Sequence, residues 1–378
     1  MIRMIVAGTI TLAGLLSAKA PPLFEEDEHE CTSWMVFSDL TKNNSNLLHK
    51  NRDAKPRNIG ALLSPPESPR KWVGLGDVPN VNLCMGMNAS GLAGVMNSGE
   101  KCTVPSNPNG KGTPAILRLI LEQCDTASQA LAMLEDFIAR KDYYHEDKGS
   151  IFFFMDMKEG FIVDLCAEFC SPMRYDHGYA YRANIWHNPD MAAYSLIPIE
   201  SFLGSCNREY MVFSAMNSIL HAKRKITVQD SIALTRNNVQ EGSPIERTVC
   251  SKYTNSAATL EIDKEFPAVL STAWLLIGFP RHTICVPVPI CTEKLNPMMS
   301  DLTWSKASFE RLDELGPKAE IPRPWLEAEQ NIFQAYREAQ TTARSLLQSG
   351  KSGEAIKFLN EHCSVLWKKA ADTLQLQQ

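Results

Sequence analysis

One cysteine lies where it could perform chemistry without a basic partner from elsewhere in the chain. Cys31 follows a short acidic stretch and begins a strand-like run that continues through residues 32–37. If the chain were cut before Cys31, its own α-amino group, with a reference pKa of about 8, could accept the thiol proton, whose reference pKa is about 8.5. We therefore predict that Cys31 is a nucleophile exposed as a new amino terminus.

Further short segments follow Cys31 in an order that is typical of one group of enzymes. They are Lys50-Asn51-Arg52-Asp53, Asn88-Ala89-Ser90-Gly91-Leu92-Ala93 with Asn97, Arg182-Ala183-Asn184, Ser205-Cys206-Asn207-Arg208, Thr272-Ala273-Trp274, Gly278-Phe279-Pro280 and Val286-Pro287-Val288-Pro289. With Cys31-Thr32, these segments resemble the N-terminal nucleophile hydrolases that cleave linear amides. That group comprises choloylglycine hydrolases, penicillin V acylases and isopenicillin N acyltransferase-like cysteine peptidases. The resemblance extends from Cys31 to about residue 295.

The resemblance implies a role for each of six residues. Cys31 would attack the amide carbon, and Asp53 would hold its α-amino group. Lys50 would help to lower the pKa of the thiol as a point charge, a role that Arg52 could share. The oxyanion would be met by the side chain of Asn97 together with a backbone N–H. The remaining hydrogen-bond network around the nucleophile would be completed by Asn184 and Arg208.

The elements that must position these residues are predicted from hydrophobic periodicity and turn residues. The expected strands form a hairpin at 32–37 and 47–53, a second hairpin within 82–97, a third at 150–157 and 160–168, and single strands at 178–185, 256–262, 270–278 and 282–290. The expected helices cover 114–124, 126–141, 206–222, 228–236, 325–348 and 353–374. A proline-containing loop is expected over 54–80, and another loop over 103–113.

Strands and helices occur in blocks, which favours an antiparallel sheet covered by helices over a doubly wound parallel fold. The predicted class is α+β, and the resemblance implies a four-layer αββα sandwich of two antiparallel sheets between helices. We expect a signal peptide at 1–20, a propeptide at 21–30, a catalytic domain at 31–320 and a C-terminal helical extension packed on it at 321–378. The linker is expected within 316–325.

The composition excludes several classes of function. The formal net charge is −5 and the basic residues are scattered, so a nucleic-acid partner is not predicted. No metal and no cofactor are expected, because no metal-binding pattern is formed by the close cysteine pairs Cys166/Cys170 and Cys285/Cys291 or by the histidines His145, His177, His187 and His282. Apart from Cys31, ten cysteines remain, which permits up to five disulfide bridges without requiring any.

The first twenty residues are typical of a secretory signal peptide. Arg3 precedes an apolar run over 4–16, which is shorter than the roughly 20 residues that a membrane-spanning helix needs. Cleavage after Ala20 or after Ala18 would leave the protein secreted or periplasmic, with no membrane span. Neither cut exposes Cys31, so we predict a second, autocatalytic cut of the bond between Glu30 and Cys31.

Three functions are compatible with these features. The first is a hydrolase that cleaves an N-acyl amino acid, a small peptide or a related linear amide through a thioester acyl-enzyme. The second is an acyltransferase that passes the same acyl group to an amine. The third is a non-catalytic exported scaffold whose cysteines are all structural. The sequence predicts neither the substrate nor the oligomeric state.

Overall fold

The computed structural model of the protein describes residues 30–237 and 248–376. The predicted signal peptide and residues 21–29 of the predicted propeptide lie outside the described residues. The strands are β1 Thr32–Val36, β2 Asn46–Asp53, β3 Ile59–Leu63, β4 Trp72–Asp77, β5 Asn82–Asn88, β6 Ala93–Lys101, β7 Lys111–Gly112, β8 Tyr143–Tyr144, β9 Lys148–Met155, β10 Gly160–Leu165, β11 Cys170–Tyr175, β12 Tyr179–Arg182, β13 Thr254–Ile262, β14 Thr272–Ile277 and β15 Val286–Pro289. The helices are α1 Thr113–Gln123, α2 Ala127–Ala139, α3 Ile199–His221, α4 Val228–Thr235, α5 Pro267–Leu270, α6 Pro297–Ser300, α7 Thr303–Leu315, α8 Arg323–Gln348 and α9 Ser352–Thr373.

Two antiparallel sheets form the centre of the described structure. One has six strands in the order β12-β1-β2-β13-β14-β15, and the other has seven in the order β11-β10-β9-β6-β5-β4-β3. The sheets pack face to face, with β2 against β6 and β14 against β4. Each sheet therefore has one face toward the other sheet and one face available to helices.

Helices cover both outer faces, which makes the architecture a four-layer αββα sandwich. Helices α1 and α2 pack on the seven-stranded sheet, and α3 and α4 pack on the six-stranded sheet. The core between the sheets is continuous with the apolar residues of α8 and α9, whereas the space under α1 and α2 forms a separate apolar cluster. The predicted fold class, including the helical C-terminal region, is confirmed.

The first hairpin is formed by two short strands that are almost entirely buried, and a polar turn over residues 42–45 separates them. In its register Ser33 pairs with Lys50 and Thr32 pairs with Asn51. On the outer face Trp34 stacks on His49, with their ring centroids 3.9 Å apart. This register fixes which residues of β2 share a face with Cys31, and it confirms the predicted pairing of the two strands.

The prediction of a loop over residues 54–80 is wrong, because that segment contains β3 and β4. Its five prolines are confined to the connections: Pro56 precedes β3, Pro65, Pro66 and Pro69 lie between the two strands, and Pro79 follows β4. Sequence reasoning also missed β11, whose Pro172 is tolerated because the strand lies at the sheet edge. Helix α7 was missed as well. Helix α2 is capped at its amino terminus by Thr126, whose side chain accepts from the backbone N–H of Gln129.

The two long C-terminal helices pack against each other and against β15 at the edge of the six-stranded sheet. Trp274 of β14 stacks on Phe333 of α8, with their ring centroids 4.2 Å apart. Trp367 of α9 donates a hydrogen bond to the carbonyl of Pro287. Strand β15 contains two prolines that cannot donate to a further strand, and these helices cover that edge.

Candidate active site

Cys31 immediately precedes β1, an interior strand of the six-stranded sheet. Its side chain is buried, and its backbone N–H donates to Asn184 Oδ1 at 2.8 Å. Extending the hairpin register by one residue places Cys31 level with Arg52, and extending it by two places Glu30 level with Asp53. The predicted nucleophile therefore lies at the end of the hairpin that carries the predicted Lys50 to Asp53 signature.

Strand alternation sends the polar residues of β2 to two different faces. Lys50 and Arg52 point into the space between the sheets, where they contact the seven-stranded sheet. Asn51 points the other way and donates to the carbonyls of Thr235 and Val249 on the helical side. Cys31 shares the inner face with Ser33, so its thiol lies on the same side as the two cations.

The buried Asn97 links three parts of the site. Its Oδ1 accepts from Lys50 Nζ at 2.9 Å and from Ser33 Oγ at 2.7 Å. Its Nδ2 donates to the carbonyls of Arg182 at 3.3 Å and Ala183 at 2.9 Å. The side-chain amide of Asn97 is thus engaged in the uncut chain, and acting on an oxyanion would require it to exchange one of these bonds. Its oxyanion role stays a prediction.

Asn184 connects the nucleophile to α3 and β6. Its Oδ1 accepts from both the Cys31 nitrogen and Arg208 Nη2, at 2.8 and 2.7 Å, and its Nδ2 donates to the Ser98 carbonyl at 2.7 Å. A side-chain amide whose oxygen accepts two hydrogen bonds and whose NH2 group donates one to a carbonyl is held in one orientation. This geometry places Asn184 at the nitrogen of the bond that is predicted to be cut.

Arg208, on α3, is fully buried beside the same bond. Its Nη1 lies 2.5 Å from Glu30 Oε2, and its Nη2 donates to Ser205 Oγ at 3.3 Å. Glu30 is itself 7 % exposed. The residue on each side of the Glu30–Cys31 bond is therefore held, Glu30 through its side chain and Cys31 through its nitrogen.

Asp53 lies on the outer face and accepts from two hydroxyls, Thr254 Oγ1 at 2.6 Å and Ser251 Oγ at 2.9 Å. Burial raises the pKa of Asp53 to about 7, a rise that Glu30 increases and that the Thr254 hydrogen bond and the charge of Arg208 oppose. The predicted contact of Asp53 with an α-amino group stays a prediction. In the described chain the nitrogen of Cys31 belongs to a peptide bond and donates a hydrogen bond to Asn184.

Arg52, which could share the role of Lys50, is held by a different partner. Its two terminal nitrogens donate to both carboxylate oxygens of Asp77 on β4, at 2.7 and 3.1 Å. Burial disfavours the charge of Arg52, but the acidic groups of Cys84, Asp77 and Cys31 raise its pKa. Burial also raises the pKa of the neighbouring Cys84 thiol to about 11. The inner face thus brings two cysteines close to one guanidinium.

Sequence reasoning did not assign roles to Glu30, Ser33, Ser205 or Asp77, although all four contact the predicted site residues. The position of Ser33 in the site could have been predicted from the sequence, because a residue two positions after Cys31 on a strand lies on the same face as Cys31. Ser205 could have been predicted as well, because it lies three residues before Arg208 on the same helix. The contacts of Glu30 with Arg208 and of Asp77 with Arg52 join segments far apart in the chain, and no spacing rule indicates them. The six predicted residues lie in one region: Lys50 bonds Asn97, Arg208 and Cys31 bond Asn184, and Asp53 interacts electrostatically with Arg208.

In the described part of the chain, no group of three or more His, Cys, Asp or Glu side chains is arranged to hold a metal ion. All eleven cysteines are described, and each is a free thiol in this structure. No helix within residues 30–237 and 248–376 is long and apolar enough to span a bilayer. A cavity of about 350 Å³ lies between α4 and α8, away from Cys31, and is lined in part by Arg236 and Glu329.

Three solved structures resemble this one at low sequence identity. A mutant of conjugated bile acid hydrolase from Clostridium perfringens has a TM-score of 0.48 and 10% identity, covering 68% of this chain and 92% of its own. Penicillin V acylase from Agrobacterium tumefaciens has a TM-score of 0.47 and 13% identity, covering 68% and 86%. The Caenorhabditis elegans ortholog of N-acylethanolamine-hydrolyzing acid amidase has a TM-score of 0.43 and 10% identity, covering 63% and 94%.

No curated protein sequence matches the chain. A family model for acyl-coenzyme A:6-aminopenicillanic acid acyl-transferase matches residues 40–260, which is more than half of the chain. The match begins after Cys31 and includes Lys50, Asp53, Asn97, Asn184 and Arg208. The prediction of an amide-hydrolysing or acyl-transferring enzyme is thus confirmed. The protein belongs to the acyl-coenzyme A:6-aminopenicillanic acid acyl-transferase family.

Proposed function

We propose that this enzyme is exported, loses the residues before Cys31, and then hydrolyses a small linear amide such as an N-acyl amino acid or a short peptide. The observation that carries the proposal is the convergence of Asn184 and Arg208 on the Glu30–Cys31 bond, where they contact the nitrogen on one side and the carboxylate on the other. A surface connection would not need two buried groups at one peptide bond.

In the maturation step, Cys31 Sγ attacks the carbonyl carbon of Glu30 and the C–N bond breaks. The thiol proton passes to the nitrogen that leaves, and water hydrolyses the resulting thioester. Cys31 then carries a free α-amino group, which takes over as the base for its own thiol. Asp53 lies level with the former position of Glu30 and is available to accept hydrogen bonds from this amine.

In each catalytic cycle, Cys31 would attack the substrate carbonyl and expel the amine, and water would release the acid. The buried Lys50 lies on the face that carries the thiol, bonded to Asn97, in the position expected for the cation of the site. Asn97, released from one of its carbonyl partners, would donate to the oxyanion. The roles of these groups are those expected from the resemblance.

The test begins with the intact mass of the mature protein, which we expect to start at Cys31. Hydrolysis of a panel of N-acyl amino acids is then compared between the parent, Cys31→Ala and the control Cys363→Ala. Cys363 is a buried cysteine of α9, remote from the site. We expect Cys31→Ala to remain uncut and inactive and Cys363→Ala to retain activity. A mature chain that starts elsewhere, or an active Cys31→Ala variant, would refute the mechanism.

The family description favours a second candidate, acyl transfer to an amine. Both reactions share the acyl-enzyme and differ in the acceptor, so the products separate them. When hydroxylamine is added during turnover, a transferase yields mainly the hydroxamate and a hydrolase yields mainly the acid. If the parent gives neither product and Cys31 resists alkylation, the protein is the non-catalytic scaffold.

A further inference from the structure

We propose that the mature enzyme selects acyl groups that end in a carboxylate, and that Arg208 binds this carboxylate in the place that Glu30 occupies before the cut. The inference rests on the proposed function, because it assumes that Cys31 becomes acylated. It concerns the acyl side of the substrate, on which neither the fold nor the family match bears.

The first acyl group that Cys31 receives comes from its own propeptide. During maturation the acyl group that Cys31 accepts is that of Glu30, and it is carried on Sγ as a thioester. During turnover the substrate acyl group is carried on the same atom. The end of the propeptide is therefore the first acyl group that the site processes, and the contacts of Glu30 indicate which groups the site can hold.

The cut leaves Arg208 with a positive charge that Glu30 no longer matches. Arg208 is fully buried, and in the uncut chain its charge is matched by Glu30 at 2.5 Å. Its other hydrogen-bond partners, Asn184 and Ser205, are neutral. Removing one partner of a buried ion pair leaves a desolvated charge, which is strongly unfavourable unless another anion replaces it.

Asp53 is the acidic group nearby that could compensate, but the structure gives it other partners. Its two oxygens accept from Thr254 and Ser251, and burial raises its pKa to about 7. After the cut, the proposed mechanism also places the new α-amino group beside it. A carboxylate from the substrate therefore matches the vacated position next to Arg208 better than Asp53 does.

A second observation points to a ligand at the same guanidinium. Among the described residues, the buried Nε of Arg208 has no hydrogen-bond acceptor. A guanidinium can hold a carboxylate through two parallel bonds, whereas Glu30 uses one of its oxygens on Nη1. Arg208 thus has donor capacity that Glu30 does not fill.

The side chain of Glu30 also indicates how long the acyl group should be. In Glu30 the carboxylate carbon is four bonds from the carbonyl carbon that Cys31 attacks. A glutaryl group has the same separation between its two carboxyl carbons. Glutaryl amides and related monoamides of dicarboxylic acids are therefore the substrate class that we infer.

The experiment compares two fluorogenic amides of 7-amino-4-methylcoumarin with the mature enzyme. One carries a glutaryl group, and in the other the terminal carboxylate is replaced by a carboxamide of the same size. We expect kcat/KM to favour the glutaryl amide by roughly 10- to 100-fold, as for a hydrogen bond to a charged group. Equal rates, or a preference for the carboxamide, would overturn the inference while leaving amide hydrolysis intact.

For variants at Arg208, the informative quantity is the ratio of kcat/KM for the glutaryl amide to kcat/KM for the carboxamide. Either rate by itself also depends on the hydrogen-bond network around Cys31. Arg208→Gln should abolish the preference, and Arg208→Lys should retain part of it. Lys223→Gln, an exposed residue after α3, changes the net charge equally and should leave the ratio unchanged. A preference that survives Arg208→Gln would contradict the assignment.

Binding is tested separately from turnover by protection of the Cys31 thiol against iodoacetamide. Glutaramate, which has one carboxylate, should protect Cys31, and the neutral glutaramide should not. If both fail to protect while Cys31 is at the amino terminus and other amides are hydrolysed, the carboxylate inference is wrong and the proposed function stands. If Cys31 is neither exposed nor reactive, the proposed function itself fails.

Discussion

Two buried arginine–glutamate pairs lie in the outer layer of the six-stranded sheet, and they are built differently. Arg236, after α4, donates to both carboxylate oxygens of Glu329 at 2.8 and 2.7 Å and to the carbonyls of Pro280 and Thr283. The same carboxylate accepts from the backbone of Cys285. Arg208 meets one oxygen of Glu30 and keeps a donor without an acceptor among the described residues.

The difference separates a permanent cross-link from a temporary one. The first pair joins α4, the β14–β15 connection and α8, and every part of it remains after any cut before Cys31. The second pair joins α3 to a residue that the proposed maturation removes. A buried pair contributes little when intact but is costly to break, so the two pairs should respond differently to loss of the carboxylate.

The largest effect is expected when the permanent pair is broken. Glu329→Gln leaves Arg236 buried without a counter-ion, and we expect the free energy of unfolding to fall by about 3 to 5 kcal/mol. Urea denaturation in a Cys31→Ala background measures this with a uniform amino terminus. Replacing both residues, in Arg236→Met with Glu329→Leu, should recover much of the loss. If the single variant is as stable as the parent, the pair is not a structural cross-link.

The next effect is a dependence of stability on pH, which we expect from Asp53 beside Arg208 and not from the pair of Arg236 with Glu329. The pKa of Asp53 is about 7 in the folded chain, compared with 3.8 for the free side chain. Between these values the folded state holds a proton that the unfolded state has lost, so stability falls as the pH rises from 4 to 7. Each unit of difference is worth about 1.4 kcal/mol.

Asp53→Asn should remove this dependence, and Glu329→Gln should retain it. The measurement is the difference in unfolding free energy between Asp53→Asn and its parent, both uncut, at several pH values. A difference is needed because His49, whose pKa burial lowers to about 3, changes stability in the opposite direction with pH. If the difference does not vary between pH 4 and pH 7, Asp53 is ionised in the folded protein.

A smaller loss is expected for the temporary pair. In the uncut Cys31→Ala background, Glu30→Gln should cost about 1 to 3 kcal/mol, because an amide oxygen can still accept from Arg208 and because Asn184 and Ser205 remain bonded to it. The cost should be below that of Glu329→Gln, with the same denaturation assay used for both.

With Cys31 present, Glu30→Gln should slow the appearance of the mature mass, since the carbonyl to be attacked is less well held. The mature products of the two chains are identical, so their activities should agree once the cut is complete. Maturation at the parent rate would show that the ion pair does not position the bond.

The smallest effect is expected at an exposed pair of the same type. Arg323 and Glu327 at the start of α8 are 89% and 56% exposed. Glu327→Gln should change the unfolding free energy by less than about 0.5 kcal/mol, because water and salt screen such pairs. A loss that approaches that of Glu329→Gln would mean that burial does not explain the contrast.

Much of the fold could be predicted because the hairpins and long helices have strong periodicity. The strands that were missed show where prediction from periodicity fails. Residues 59–63 and 72–77 are short apolar runs on either side of a proline-rich turn. Because the prolines dominate the local composition, the whole segment was predicted to be a loop. Strand β11 contains a proline, which is compatible only with the edge position that the sheet order gives it.

The sequence by itself determined the candidate nucleophile, the order of the polar segments and the alternation that separates Lys50 from Asp53. These properties depend on neighbours in the chain and on the two-residue period of a strand. Only the tertiary structure decided that Asn184 accepts from Cys31 and that Arg208 pairs with Glu30, contacts that span 153 and 178 residues. Such contacts depend on sheet register and on which helix covers which face, because a long side chain bonds whatever group the packing brings within about 3 Å.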